Sequence, residues 1–407
     1  MNIRGLLFFA AIIFSSVNLF AQQRPRIVGE QPTAQTKTEL ASAPATQKQT
    51  TPDQAASANK QQSKFAQLRT RINEAHRLFT SRPVLTSATT NTPSIEFITI
   101  AALEPATSKI HLVTLPKKLF LTRNAEVRMT TTQNALVTIR VLRANGVNTA
   151  VTIFDENGKS FTPLLVQYPI EKNGKFSEIA YYTSVHPALK TPEASAAGKT
   201  YLRTTIDMAV KRLREKGKII SPEIISIAEK LCVIEHIDHV RYRSENRAEL
   251  FAETYMLLAF NEGNTYRYAV SFAGAGGLVQ MIPATYRLVR QTHPKVGLIE
   301  DFVAGMRNHT NAVQAMLLYM QDTWNDLSSN DDVIYALENK IATQAEIMSA
   351  GYNSNPARLP SYLRNGGTNW RTLIPRETQT YLDIYKSFES LVPLPRTAIQ
   401  KPQNVSR

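Results

Sequence analysis

Asn261-Glu-Gly-Asn-Thr-Tyr-Arg-Tyr-Ala-Val-Ser-Phe-Ala-Gly-Ala-Gly-Gly-Leu-Val-Gln-Met-Ile-Pro-Ala-Thr285 runs from the end of an apolar helix through a glycine-rich loop into a second helix start. Upstream, Phe251, Tyr255 and Leu258 recur at helical spacing, and Glu262 is the next position on that face. Its carboxylate is therefore expected against an apolar wall. Gly263 and Asn264 supply a helix stop, which sets the acid at a C-terminus where the macrodipole opposes negative charge. Both effects disfavour the anion, the condition for a general acid working near neutral pH. Taken alone, Glu262 would read as a solvated terminal acid. No Asp or Glu occurs between Glu262 and Glu300, whereas ordinary glycoside hydrolysis flanks the bond with two carboxylates. Unless a distant carboxylate folds back, this suits a reaction whose nucleophile comes from the substrate.

Around this stretch the chain reads as helical. Helices are expected at Tyr201–Lys216, Pro222–His239, Arg247–Asn261, Pro283–Thr292, Thr310–Asp326, Asn330–Ala350 and Glu377–Leu391, giving an all-α domain over residues 198–391 and a polar tail over 392–407. A Pro- and Ala-rich break, Pro187 to Gly198, precedes it. Before the break the period becomes strand-like. Ile95–Ile100, Lys109–Val113, Ala135–Leu142, Ala150–Phe154 and Ile179–Tyr182 are β-branched or aromatic runs, punctuated at Asn145-Gly146, Asn157-Gly158 and Asn173-Gly174. These predict a small antiparallel β-domain over residues 84–190, so the fold class is α+β. His111 and His186 stand isolated there and read as structural or surface residues. A short helix is expected over 64–83, with Phe65, Leu68, Ile72, Ala75 and Phe79 on one face.

The N-terminus opens Met1-Asn-Ile-Arg4, continues through an apolar run, Gly5 to Phe14, and relaxes to Ala21. That is the pattern of a secretory signal peptide over 1–21, with an uncleaved anchor as the other reading. The apolar run falls short of the ~20 residues a bilayer span requires. Residues 22–63 are rich in Gln, Thr, Ala, Ser and Pro and read as a disordered tether. The expected compartment is therefore the periplasm or cell envelope. Among the 407 residues Cys232 is the single cysteine, which excludes an internal disulfide; it lies in an apolar helical run as a buried thiol. A nucleophilic thiol would need His236, one turn away, to activate it. Net charge is +14, which favours acidic partners, yet the basic residues are dispersed and export argues against nucleic acid. Ile234-Glu-His-Ile-Asp-His239 carries two histidines one turn apart but neither zinc-protease order, and the Gly274–Gly277 loop lacks the Lys-Ser/Thr of a phosphate loop, so neither a metal nor a cofactor is expected.

In order and spacing the opening stretch resembles the soluble lytic transglycosylases, peptidoglycan-cleaving enzymes of the lysozyme-like superfamily. With Glu262 at the family's catalytic Glu, Ser271, Gly274-Ala275, Gly277-Leu278, Gln280, Pro283 and Thr285 fall at the motif positions without a gap. Ala350-Gly-Tyr-Asn-Ser-Asn-Pro356 is similar to the family's Ala-Tyr-Asn-Ala-Gly-Pro segment, and Ile374-Pro-Arg-Glu-Thr-Gln-Thr-Tyr381 to its Pro-x-Glu-Thr-x-x-Tyr. The resemblance implies a lysozyme-like helical fold that cleaves the bond between N-acetylmuramic acid and N-acetylglucosamine. Glu262 would protonate the glycosidic oxygen and then take the proton of the C6 hydroxyl, giving a 1,6-anhydro product. Ser271 and Gln280 would line the cleft, Tyr352 would lie near Glu262 and the glycan, and Asn353 would hold that loop. Glu377 would contact the peptide stem or cap a helix.

The sequence departs from the pattern at Gly263, where the family usually carries Ser, at Val279 for Met, and at Ser354-Asn355 for Ala-Gly. The alternative is a lysozyme-like envelope protein that binds or scaffolds the cell wall without turnover. Gly263 is the feature that favours it, and the β-domain would then dock an envelope partner.

Overall fold

Strand-like and helical periods segregate in space as they do along the chain. The computed structural model describes residues 63–86, 93–172, 174–263 and 274–393. The signal peptide, the tether up to residue 62, Ser271 and the tail beyond 393 lie outside the described residues.

β1 (Phe97–Glu104), β2 (Lys109–Pro116), β3 (Glu126–Thr130), β4 (Leu136–Arg143), β5 (Ala150–Asp155), β6 (Ser160–Lys172) and β7 (Lys175–Thr183) form one antiparallel sheet ordered β2-β1-β6-β5-β4-β3, with β7 also on β6. The sheet curls until its ends approach: Thr132 N–H donates to Leu112 O (2.9 Å), and Leu112 N–H to Thr132 Oγ1 (3.2 Å). β6 was not expected, because Pro163 and Pro169 count against a strand. The register with β1 shifts between Ala101 and Ala102, and Pro163 sits at that irregularity. His111 is a buried structural residue between Thr131 Oγ1 and Glu104 Oε2.

Helix α1 (Lys64–Thr80) begins at Ser63, whose Oγ accepts from Ala66 N–H. It buries Leu68, Ile72, Ala75 and Phe79 in the sheet's core, while Phe65 stays half-buried against the Phe260 ring. The four-residue α2 (Lys117–Phe120) closes the sheet below β2.

The helical region contains α3 (Pro192–Glu215), α4 (Pro222–Ile234), α5 (His239–Ser244), α6 (Arg247–Phe260), α7 (Pro283–Thr292), α8 (Phe302–Arg307), α9 (His309–Leu327), α10 (Asp331–Glu338), α11 (Gln344–Asn353), α12 (Leu359–Gly366) and α13 (Arg376–Leu391). Three expectations shift. The Pro- and Ala-rich break is the start of α3: Thr191 Oγ1 accepts from Ala194 N–H, and Pro192 takes the first turn, where its missing N–H costs nothing. The helix expected over 222–239 divides because Asp238 Oδ1 accepts from Val240 and Arg241 N–H. The helix expected over 330–350 divides at the capping box of Thr343 and Glu346.

Two hydrophobic cores meet at α6. Phe251, Tyr255 and Leu258 enter the helical core, whereas Met256 and Leu257 enter the sheet's core. A helix that buries side chains on both flanks in this way is a shared wall. Gly198 of α3 lies against it so closely that an added Cβ would stand 1.9 Å from Tyr255 O.

Candidate active site

The corner that ends α6 is a junction of three elements. Asn261 Oδ1 accepts from Thr183 N–H at the end of β7, and its Nδ2 donates to Leu257 O. Glu262 Oε2 accepts from the Arg69 guanidinium of α1 at 2.9 Å, with 36% of its side chain exposed. The apolar wall expected around this carboxylate is therefore absent: the helix stops at Phe260, and Glu262 leaves the face that Phe251, Tyr255 and Leu258 bury. Gly263 adopts φ +78°, which a side chain strains, and its N–H donates to Tyr201 Oη. Tyr201 in turn meets His309 Nδ1 at 2.6 Å; burial drives His309 down to about 4, so the neutral ring accepts. The departure from Ser at position 263 thus has a backbone cause.

The glycine loop resumes at Gly274 and is held by residues remote in sequence. Gly276 N–H donates to Met281 O, and the Gln280 Nε2 amide donates to Gly277 O. Gly277, at φ +70°, passes so close to α8 that a Cβ would meet Met306 O at 2.6 Å. His236 Nε2 donates to Leu278 O (2.9 Å), its ring held neutral because burial takes it to about 4. Tyr352 Oη donates to Val279 O (2.7 Å). Gln280 therefore braces its own loop.

Beside this loop stands a carboxyl that sequence reasoning missed. Glu235 is the residue at which α4 ends. Burial pushes it up to about 8; the Tyr381 hydrogen bond works the other way, and the charge of Glu377 raises it further. Its position at a helix C-terminus also disfavours the anion. Tyr381 Oη donates to Oε1 at 2.6 Å, while Oε2 has no hydrogen-bond partner among the described residues. The residue as a whole is only half-buried, which leaves it an approach from solvent. Tyr352 lies within electrostatic reach, since after burial the charge of Glu235 contributes most to raising it. The signal was in Ile227–Glu235, an apolar helical run ending in an acid, the same argument applied to Glu262.

The structure thus gathers Tyr352, Glu377, Tyr381 and the Gln280 loop around Glu235. Asn353 Oδ1 accepts from Thr378 Oγ1 (2.8 Å), tying α11 to the first turn of α13. Glu377 is exposed in that first turn, where a negative charge suits the helix dipole. Glu262 sits at the α1 and β7 junction instead. Cys232 is buried with its thiol pushed up by burial, hence inert. No helix among the described residues is long and apolar enough to cross a membrane. No family model matches this chain, and no curated protein and no solved structure matches it either.

Proposed function

We propose that the helical domain is a lysozyme-like lytic transglycosylase of peptidoglycan, with Glu235 as its acid and then its base. The observation that carries the reading is the enclosed Glu235 carboxyl, raised to about 8, with Oε1 engaged by Tyr381 and Oε2 unengaged among the described residues. In this reaction Oε2–H protonates the glycosidic oxygen as the C1–O bond breaks. The resulting carboxylate then removes the proton of the C6 hydroxyl, whose oxygen bonds to C1. No water is consumed. Tyr381 keeps the carboxyl oriented through both steps, and Tyr352 fixes the loop bearing Gln280 at the cleft wall. Ser271 joins the cleft in this reading. Export to the periplasm or cell envelope accords with a wall substrate.

The test is mass spectrometry of muropeptides released from purified peptidoglycan. Products one water lighter than the hydrolytic fragments are expected. Glu377 supports one competing chemistry, because a hydrolase needs a second carboxylate near the first to activate water. Fragments with reducing ends would establish that reaction, and no release would leave the scaffold reading.

The raised acid also fixes a pH dependence. Cleavage is expected to decline as pH rises through about 8, where Glu235 loses its proton. Between the ordinary 4.5 and about 8 the folded chain holds a proton that the unfolded chain has released, so this group's contribution to stability falls as pH rises. Glu235→Gln removes that dependence. Its Tm relative to the parent should climb across this window, and a gap that stays flat would contradict the enclosed carboxyl.

A further inference from the structure

The groove between α5 and α13 is lined by Tyr242, Arg243, Arg247, Asp383, Lys386 and Ser387. Arg243, Arg247 and Lys386 are exposed, and none of them ion-pairs with a described carboxylate, Asp383 included. Arg247 is held in place: its guanidinium stacks 4.5 Å over the Tyr242 ring and donates to Ser387 Oγ. Tyr242 Oη is itself fixed between Asp383 O (2.8 Å) and Ser387 Oγ (2.5 Å). A solvated surface arginine has no need of such support. A guanidinium fork fixed in this way matches a planar or tetrahedral oxyanion.

The groove also joins the candidate active site. On α13, Thr380, Asp383, Ser387 and Ser390 follow at helical spacing from Glu377, and the floor from Thr380 to Ser390 is roughly 15 Å long. On the facing wall, His239 stands between the two regions. Burial lowers it, Glu377 raises it and Arg243 lowers it again, so its ring is within reach of both.

We infer that this groove is a subsite for an oxyanion carried by the glycan, in which Arg247 grips the anion and Arg243 and Lys386 attract it. The inference rests on the proposed reading of the substrate. Peptidoglycan bears peptide carboxylates, and attached polymers bear phosphodiesters; the chemistry of recognition is shared.

Co-sedimentation with insoluble peptidoglycan tests it without requiring turnover. The double variant Arg243→Glu, Lys386→Glu changes two exposed side chains and leaves the Arg247 support intact. It is expected to bind about tenfold more weakly than the parent, as loss of charge pairs with a bound oxyanion requires. Lys211→Glu, Lys216→Glu, an equal change of net charge at the end of α3, should bind like the parent. Three polymer samples locate the anion: untreated, stripped of peptides by an amidase, and freed of phosphodiesters by hydrofluoric acid. A difference that vanishes with the peptides assigns carboxylate, and one that vanishes with the phosphodiesters assigns phosphate; either upholds the subsite. Equal affinity of parent and double variant on untreated polymer overturns it. So does a loss just as large in the Lys211, Lys216 control, or one that persists on both treated polymers. A protein that binds in this pattern but releases no muropeptides would keep the subsite and remove the reaction.

Discussion

Glu235→Gln is expected to slow the release of anhydro-muropeptides by about 100- to 10,000-fold, the span general acid–base catalysis supplies. Glu262→Gln should retain most of the activity. The two carboxylates share an apolar helix behind them but differ in what surrounds their oxygens. Glu235 Oε1 is held by Tyr381, and burial keeps the proton on the group. Glu262 is exposed and engaged by Arg69, an ion pair of a kind worth at most ~1 kcal/mol to stability. Amide replacement at 235 retains size and the Tyr381 contact while abolishing proton transfer, so circular dichroism should be unchanged. Initial rates on purified peptidoglycan decide between them. Loss at Glu262→Gln with activity retained at Glu235→Gln would return the acid to the position its spacing implied.

Gly198→Ala should cost about 3 kcal/mol or more, the upper range for overpacking, and depress soluble yield. In an ordinary helix the same change would stabilise by roughly 0.5–1 kcal/mol, because glycine carries excess backbone entropy. Here the added Cβ would stand 1.9 Å from Tyr255 O and 2.6 Å from Tyr255 C, both backbone atoms that no rotamer change can move. The α3 and α6 axes must separate, and α6 supports both cores. Thr200→Ala, on the exposed side of the same helix, should stay within about 0.5 kcal/mol of the parent. Urea midpoints of the two variants provide the comparison; a Gly198→Ala midpoint equal to the parent's would show that the helices are not in contact.

The α+β division was readable because Asn-Gly turns and β-branched runs fill residues 97–183, while 3.6-residue periodicity governs the chain beyond them. β6 was hidden by its prolines, which an irregularity accommodates only once β1 is beside it. The start of α3 was hidden because Pro and Ala read as linker until Thr191 is seen to cap them. Glu235 was overlooked for a related reason. Spacing along the chain identifies a carboxylate before the glycine loop, but the loop is braced by His236, 42 residues from Leu278, and by Tyr352, 73 residues from Val279. Those partners bring the loop beside the helix end at Glu235. The glycine loop itself was legible from residue type, since Gly277 must approach Met306 more closely than a side chain permits.

The wall formed by α6 makes the sheet more than an accessory to the helical domain. A fragment beginning after residue 190 would lay Met256 and Leu257 bare to water and release Asn261 from Thr183. The corner leading toward the glycine loop would then lose two of its three anchors, Thr183 and Arg69, and keep only Tyr201. Heat should accordingly melt sheet and helices in one cooperative step rather than two, so the strands act as part of the foundation on which the loop beside Glu235 is aligned.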